Sequence, residues 1–154
     1  MQKSGTADGA ALPAENRCNV TALRKAARRL SQLYDSMLAP TGLRSTQRAI
    51  LVNVARHGSP TMSELAAALV LDRSALNHNL KPLERDGLLH VTVDPDDRRS
   101  RRIQLSKRGE AKLKESLEGW EQAQQRFEAA FGAKESVALR ASLQLIASLD
   151  FSEA

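Results

Sequence analysis

The chain has 154 residues, enough for one domain with a proper hydrophobic core or for a small domain plus an oligomerisation element. Its formal net charge of +5 and isoelectric point near 9.8 favour polyanionic partners, of which nucleic acid is the commonest. Aromatic residues make up only 3% of the chain, which argues against single-strand binding on stacked aromatic platforms. The single cysteine, Cys18, cannot form an intrachain disulfide and favours a reducing cytoplasm, and no stretch is apolar for long enough to span a membrane.

Two N-terminal segments precede the predicted compact domain. Residues 1–15 are mostly small and polar, with no apolar signal-peptide core, and predict a flexible leader. Residues 16–42 predict a helix ended by Pro40 and Gly42. Apolar residues recur along this helix at spacings of three and four, namely Val20, Leu23, Ala27, Leu30, Tyr34 and Met37. Such a seam favours packing against another helix, so we expect the segment to contribute to dimerisation.

Residues 43–106 predict a DNA-binding domain built on a helix-turn-helix. Ser45 is suited to cap its first helix. Thr61 and Glu64 match the capping box, in which each side chain accepts a bond from the other residue's amide, so a second helix starts there. Asp72 is suited to cap a third helix, whose leucines at positions 76, 80 and 83 share one apolar face. Two short helices joined by a tight turn are typical of a helix-turn-helix.

The polar face of the helix capped by Asp72 has the chemistry of base readout. Asparagine can pair bidentately with adenine, arginine and lysine reach guanine or phosphate, and serine bonds to either. The candidate DNA-contacting residues are Arg73, Ser74, Asn77, His78 and Lys81 on this helix, with Ser63 on the preceding one.

A two-stranded hairpin follows, after Gly87 ends the readout helix. Two half-buried strands are predicted by apolar residues that alternate with polar ones, namely Leu89, Val91, Val93, Ile103 and Leu105. The turn between the strands carries Arg98 and Arg99, which are suited to a narrow minor groove because its negative potential attracts guanidinium groups. Asp97 is expected to hold one of these arginines through a bidentate pair.

Residues 107–154 predict two further helices. Ser106 is suited to cap a long helix that ends at Phe131, and Gly119 is expected to weaken its middle by about 1 kcal/mol relative to alanine. A last helix spans about residues 134–149. The terminal helices carry more apolar surface than a domain of this size can cover, which predicts a homodimer with two reading heads on a palindromic operator.

These segments together resemble the MarR family of winged helix-turn-helix regulators. The resemblance covers nearly the whole chain from about Asn16, and its most specific parts are DRS…LERDGL and DDRRS…LSKRG. It implies a mainly α fold with a small β wing, a homodimer held by its N- and C-terminal helices, and repression of transcription until a small ligand or an oxidant releases the DNA. The Asp72 helix would enter the major groove and Arg99 the minor groove. Asn77 and His78 stand where members often have threonine and arginine, so the operator sequence is expected to differ.

Two routes to release stay open. A small aromatic acid bound between the dimer helices and the reading head would find cations and rings among Arg24, Arg28, Tyr34 and Trp120. Alternatively, Cys18 is a redox sensor, because the helix dipole and Arg17 would lower its pKa. It resembles the reactive cysteine in the N-terminal helix of the peroxide-sensing branch of the family, but tyrosines surround the thiol in that branch, and the only tyrosine here, Tyr34, lies several turns away. A cysteine that is merely packed or exposed near a helix end is the competing interpretation, because free cysteines commonly behave as small hydrophobic residues.

Other function classes fit the sequence less well. His57, His78 and His90 are too scattered for a metal site or for a nucleophile and its base, and no glycine-rich phosphate loop occurs. We therefore expect no enzyme activity, no metal and no cofactor. A non-specific architectural DNA-binding protein is a further alternative, which would lack sequence preference.

Overall fold

The mainly α fold with a small β wing is confirmed by the computed structural model, which describes residues 17–152. The predicted leader, residues 1–15, and Asn16 lie outside the described residues. In chain order the elements are α1 (Asn19–Leu38), a 3₁₀ turn (Ala39–Thr41), α2 (Ser45–His57), α3 (Met62–Leu69), α4 (Arg73–Arg85), β1 (Leu89–Val93), β2 (Arg101–Leu105), α5 (Lys107–Glu115), α6 (Leu117–Phe131) and α7 (Ala133–Ser148).

The start of α2 differs from the prediction that Ser45 caps it. Ser45 is the first helical residue, and Arg44 occupies the N-cap position. The Gln47 side chain accepts a hydrogen bond from the Arg44 amide at 3.0 Å, and the Asp35 carboxylate accepts one from the Ser45 amide at 2.7 Å. A carboxylate of α1 therefore satisfies an unpaired amide of α2 and ties the two helices together.

The helix-turn-helix forms as predicted. The Thr61 hydroxyl accepts a bond from the Glu64 amide at 3.2 Å, and the Glu64 carboxylate accepts one from the Thr61 amide at 2.8 Å. Val70, between α3 and α4, has a φ of 52° and is the only non-glycine residue with a positive φ in the described part of the chain. The Asp72 carboxylate then accepts a bond from the Ala75 amide at 2.7 Å and caps α4.

The core of the DNA-binding domain lies between α2, α3, α4 and the wing. The predicted apolar faces meet there, and its least exposed residues include Leu51, Val54, Leu65, Leu76, Leu83, Leu89 and Ile103. Burying a leucine or isoleucine side chain contributes roughly 1.5–3 kcal/mol relative to leaving it in water. This cluster fixes the inner face of α4, and the opposite face of the helix is left to solvent.

The wing strands pair in antiparallel fashion, with Val93 opposite Arg101. The predicted alternation holds at Leu89 and Ile103, which are buried, but it is wrong at Val93, which is 50% exposed. The reason is that Val93 lies at the outer end of the ladder, beyond the core. The Ile103 amide also donates to the Pro60 carbonyl at 2.9 Å, so β2 is bonded to the loop between α2 and α3.

The predicted long C-terminal helix is divided at Ser116 into α5 and α6, so the prediction of one helix is wrong. Ser106 caps α5 as predicted, by accepting a bond from the Gly109 amide at 2.9 Å. At the break, the Ser116 hydroxyl donates to the Leu113 carbonyl at 2.6 Å and accepts from Arg48 Nε at 3.1 Å. Bonds from serine to a nearby backbone carbonyl bend helices, and here a long-range partner holds the bend in place.

Apolar surface remains exposed on the terminal helices, as the sequence predicted. Exposed large hydrophobic residues of this region include Val20, Leu23, Leu117, Phe131, Val137, Leu145, Ile146, Leu149 and Phe151. None of the helices in the described part of the chain is both long and apolar enough to cross a membrane.

Gly119 of α6 packs tightly against the backbone of α1. A Cβ at this position would lie 2.4 Å from the Met37 carbonyl oxygen and 3.1 Å from its carbonyl carbon. Because both atoms belong to the backbone, neither can move away as a flexible side chain would. Gly119 is therefore a packing requirement, in addition to the local weakness that was predicted for the helix.

We expect Gly119→Ala to lower the free energy of unfolding by about 1–3 kcal/mol, as overpacked positions do. Urea unfolding at a fixed protein concentration measures this. The control is Glu121→Ala, which introduces the same residue at an exposed position of α6 and should change stability by no more than about 0.5 kcal/mol. Equal effects of the two substitutions would show that the helices tolerate a methyl group at this contact.

Candidate nucleic-acid interface

The outward face of α4 carries the predicted readout residues. These are Arg73, Ser74, Asn77, His78 and Lys81, and all of them are exposed. Ser63 on α3 is exposed as well. The leucines at positions 76, 80 and 83 are buried on the other side of the helix, so packing determines which face of α4 is presented.

Two hollows flank α4. On the wing side, a groove of about 540 Å³ is lined by Met62, Arg73, Ser74, Asn77, Val91 and Arg101. On the α2 side, a crevice of about 160 Å³ is lined by Arg44, Thr46, Gln47, Ile50, His78, Asn79 and Pro82. The structure thus brings Arg73, Ser74 and Asn77 together with the wing, and places His78 toward the start of α2.

The tip of the wing carries Arg98 and Arg99, both exposed. The prediction that Asp97 pairs with one of them is wrong, because within residues 17–152 the Asp97 carboxylate forms no ion pair. It accepts a bond from the Arg99 backbone amide at 3.0 Å instead, while the Asp97 carbonyl accepts one from the Ser100 amide at 2.9 Å. Asp97 therefore shapes the turn and leaves both guanidinium groups available.

A different wing arginine, Arg102, is held firmly. Its Nε lies 2.9 Å from a carboxylate oxygen of Asp94, which is only 4% exposed. Its Nη1 donates to the Ser59 carbonyl at 2.9 Å. The other Asp94 oxygen accepts a bond from the Asp96 amide at 3.0 Å. We call Arg102, Asp94 and Ser59 the wing anchor, because they connect the start of the wing loop to the loop between α2 and α3.

Arg101 was missed by sequence reasoning, although it lines the groove beside α4. The alternation of side chains along β2 would have predicted its position. Residues 101 and 103 share one face of the sheet, and Ile103 is buried in the core. Arg101 therefore lies on the face toward the helices, and its neighbour Arg102 lies on the other.

A larger cavity of about 810 Å³ lies between α2, β2 and α5, with the start of α6 at its edge. Its lining residues are Arg48, Val52, Ala55, Gly58, Ser59, Gln104, Leu105, Glu110, Leu113, Lys114 and Leu117. Burial lowers the pKa of Arg48 from its usual value, but arginine stays charged at physiological pH. The Ser59 hydroxyl is buried and has no hydrogen-bond partner among the described residues. The cavity therefore offers cations, apolar walls and an unsatisfied hydroxyl.

The predicted effector residues are only partly brought together. The Arg48 guanidinium lies 4.9 Å from the centre of the Trp120 ring. Trp120 therefore contacts a residue that lines the cavity, but it does not line the cavity itself. The Tyr34 hydroxyl donates to Oε1 of Gln124 on α6, and burial raises the pKa of Tyr34. Arg24 and Arg28 are exposed on α1, and neither lines the cavity.

Cys18 is exposed at the N-cap position of α1. The Thr21 hydroxyl donates to its sulfur at 3.1 Å, and this bond is the main cause that lowers the pKa of the Cys18 thiol. Backbone hydrogen bonds in the first turn act in the same direction. The direction of the shift is the one expected from the sequence, but its largest cause is Thr21, and Arg17 is not among the causes.

No metal centre is formed in the part of the chain that the structure describes, where no three His, Cys, Asp or Glu side chains group closely enough to bind an ion. His57, His78 and His90 lie on three different elements, namely α2, α4 and β1.

A capped readout helix after a tight turn, with an arginine-bearing hairpin beside it, defines a winged helix-turn-helix protein. The model of the MarR family matches residues 41–100. The chain is similar to the transcriptional regulator MosR of M. tuberculosis, solved in complex with DNA, at 34% identity and a TM-score of 0.72, covering 86% of this chain and 99% of that one. The chain belongs to the MarR family of transcriptional regulators.

Two further proteins are similar to this chain, one in sequence and one in fold. The HTH-type transcriptional repressor NicR of Pseudomonas putida is 29% identical over 91 residues, which span 59% of this chain and 58% of the length of NicR. BpsR of Bordetella bronchiseptica, described with its regulation by 6-hydroxynicotinic acid, is 22% identical. It shares the fold with a TM-score of 0.79 over 90% of this chain and 99% of that one.

We expect alkylation of Cys18 by iodoacetamide to rise with pH at a lower midpoint than for an unperturbed cysteine, because only the thiolate reacts and its pKa is lowered. Thr21→Val removes the hydroxyl and should move the midpoint of the rate–pH curve to higher pH. Thr21→Ser keeps the hydroxyl and should leave it in place. If Thr21→Val and the wild type share one midpoint, the hydroxyl does not set the thiol pKa.

Proposed function

We propose that the protein is a homodimeric, sequence-specific regulator that binds double-stranded DNA at a palindromic operator, with α4 in the major groove and the wing in the adjacent minor groove. One observation carries the proposal. The polar face of α4 and the wing border a single groove, to which Asn77 contributes from the helix and Arg101 from β2. A helix and an arginine-bearing finger on the same side of a domain suit neighbouring grooves of one duplex.

The dimer is supported by the exposed apolar residues of the terminal helices, such as Val137 and Leu145, which are 59% and 62% exposed. Several large apolar side chains exposed along one helix are typical of an interface between subunits. A two-fold assembly would present two α4 helices to half-sites about one helical turn apart.

The direction of regulation is proposed to be repression, because NicR is a repressor and MosR is bound to DNA. A protein whose target is genomic DNA works where that DNA is, so we place it in the cytoplasm of its cell. The proposed activity is regulatory, with no catalytic step.

Release from DNA is proposed to follow binding of a small aromatic acid in the 810 Å³ cavity. Its volume lies within the range of small-molecule sites, and its walls combine apolar side chains with a few polar groups. The cations Arg48 and Lys114 suit a carboxylate, while Val52 and Leu113 suit a ring. This assignment replaces Arg24 and Arg28, which line no cavity, with two cations that line the same one.

The cavity adjoins the wing directly, which supports coupling between ligand and DNA. Gln104 and Leu105 belong to β2 and line the cavity. Ser59 lines it too, and the Ser59 carbonyl accepts the bond from Arg102 in the wing anchor. A ligand that pushes on these residues would shift the wing relative to α4 and weaken its contact with DNA.

A second candidate is a thiol-based peroxide sensor, favoured by the exposure and lowered pKa of Cys18. An organic hydroperoxide would oxidise the thiolate to a sulfenic acid and would itself be reduced to an alcohol. The oxidised side chain lies at the start of α1, a helix of the proposed dimer.

The DNA contacts are tested with Asn77→Ala and Arg99→Ala on the tightest-binding fragment selected from genomic DNA. Asn77→Ala should lower discrimination between that fragment and random DNA by about 1–3 kcal/mol, because a bidentate base contact is lost. Arg99→Ala should weaken binding to the selected fragment and to random DNA alike, because the wing contact adds affinity across sequences. Gel-shift titration measures both, and the wild type should bind as two chains per fragment.

The control for these substitutions is Arg126→Ala, at an exposed position on α6 that lines neither hollow beside α4. Unchanged affinity and discrimination in both interface variants would refute the docking. Equal affinity of the wild type for selected and random DNA would instead favour an architectural protein.

The effector is tested by titrating the protein–DNA complex with aromatic carboxylates, including 6-hydroxynicotinic acid, and separately with cumene hydroperoxide. We expect at least one carboxylate to release DNA from the wild type. Val52→Phe, which fills the cavity, should abolish that release. Ala111→Phe, at an exposed position of α5 outside the cavity, should not.

Cys18→Ser separates the two routes. It should respond to carboxylates as the wild type does. The contrary outcome is that hydroperoxide releases DNA from the wild type, no carboxylate does, and Cys18→Ser no longer responds to hydroperoxide. That outcome would support the peroxide sensor and contradict the aromatic effector.

A further inference from the structure

The groove between α4 and the wing lies where DNA backbone has to pass. In a duplex, one sugar-phosphate strand separates the major groove from the adjacent minor groove. If α4 occupies the first and the wing tip the second, as proposed above, that strand crosses the protein between them. The 540 Å³ groove lies between these two elements, with Arg73, Ser74 and Asn77 from α4 and Arg101 from β2.

The floor of the groove suits a deoxyribose. Met62 of α3 is only 6% exposed, and Val91 of β1 is half-buried. Both residues line the same groove as Arg73 and Arg101. An apolar floor under cationic walls matches a backbone whose sugars are largely apolar and whose phosphates are charged.

The two arginines of the groove are free to bind an anion. Neither Arg73 nor Arg101 forms an ion pair within residues 17–152, and both are exposed. Arg102 differs, because it is already engaged by Asp94 and Ser59. Two guanidinium groups along one groove repel each other. An anion bound between them attracts both, and this attraction offsets the repulsion.

The placement of Arg101 is rigid at the backbone. Its strand is bonded to the loop between α2 and α3 through Ile103 and Pro60, at 2.9 Å. The following residue, Arg102, belongs to the wing anchor. A cation fixed by such a frame loses less conformational entropy on binding a phosphate than one on a mobile loop does.

We propose that Arg73 and Arg101 together clamp one backbone phosphate of the duplex where the strand passes from the major to the minor groove. Arg101 is thus a DNA-binding residue of the wing in addition to the arginines of the tip. Its contribution is affinity and register along the duplex, and base preference comes from the rest of α4. The inference rests on the proposed DNA-binding function and adds a defined contact to it.

The test is the salt dependence of operator binding by the full chain. Each lost phosphate contact reduces the magnitude of the negative slope of log K against log salt concentration by about 0.9. Arg101→Gln should therefore reduce that magnitude by about 1.8 for a dimer. The matched control is Arg126→Gln, which removes the same charge from an exposed site on α6 and should leave the slope unchanged. Arg101→Lys keeps a cation and should retain most of the slope.

A double-substitution cycle tests whether both arginines hold the same phosphate. Arg73→Gln and Arg101→Gln combined should reduce affinity by less than the product of the two single fold-changes, because the first loss already disrupts the shared contact. Circular dichroism of each variant checks that it is folded.

The outcomes separate the two proposals. A wild type that prefers no DNA fragment over any other would overturn the proposed function itself. A wild type with a clear operator, combined with equal slopes for Arg101→Gln and Arg126→Gln, would overturn only the clamp. So would an unchanged slope with a loss of base discrimination in Arg101→Gln, which would make Arg101 a base-reading residue.

Discussion

The reading geometry depends on the bonds that attach β2 to the loop between α2 and α3. A two-stranded hairpin is at best marginally stable by itself in water. Here the Ile103 amide donates to the Pro60 carbonyl, and Arg102 donates to Ser59 while it pairs with the nearly buried Asp94. These bonds hold the wing beside α4. Without them the arginines of the tip would have no defined position relative to the polar face of α4.

Much of the fold follows from signals a few residues apart. The Thr61 and Glu64 capping box, the Asp72 cap and the leucine spacing of α4 are local, and each appears where the sequence placed it. The features that sequence reasoning missed depend on partners that are distant in the chain. Ser116 is held by Arg48, and the amide of Ser45 is capped by Asp35 of the preceding helix. The spacing of apolar residues along one helix does not predict such contacts between different helices.

The same division applies to the functional surface. Helical periodicity was sufficient to expose the polar face of α4, since burial of one face determines the other. The pairing of charges in the wing was harder to predict, because aspartates and arginines lie close together in the wing loop and each of them has several possible partners. The observed choice is Asp94 with Arg102, set by the sheet register, and Asp97 with the backbone of its own turn. The cavity beside β2 arises only when three elements separated in sequence meet.

Arg48 of α2 takes part in three contacts at once. It lines the 810 Å³ cavity, its Nε donates to the Ser116 hydroxyl at 3.1 Å, and its guanidinium lies over the Trp120 ring. The break between α5 and α6 is therefore held by a side chain of the cavity wall. If this guanidinium turned toward an anion in the cavity, Ser116 would lose its partner, and the joint that sets the direction of α6 would loosen.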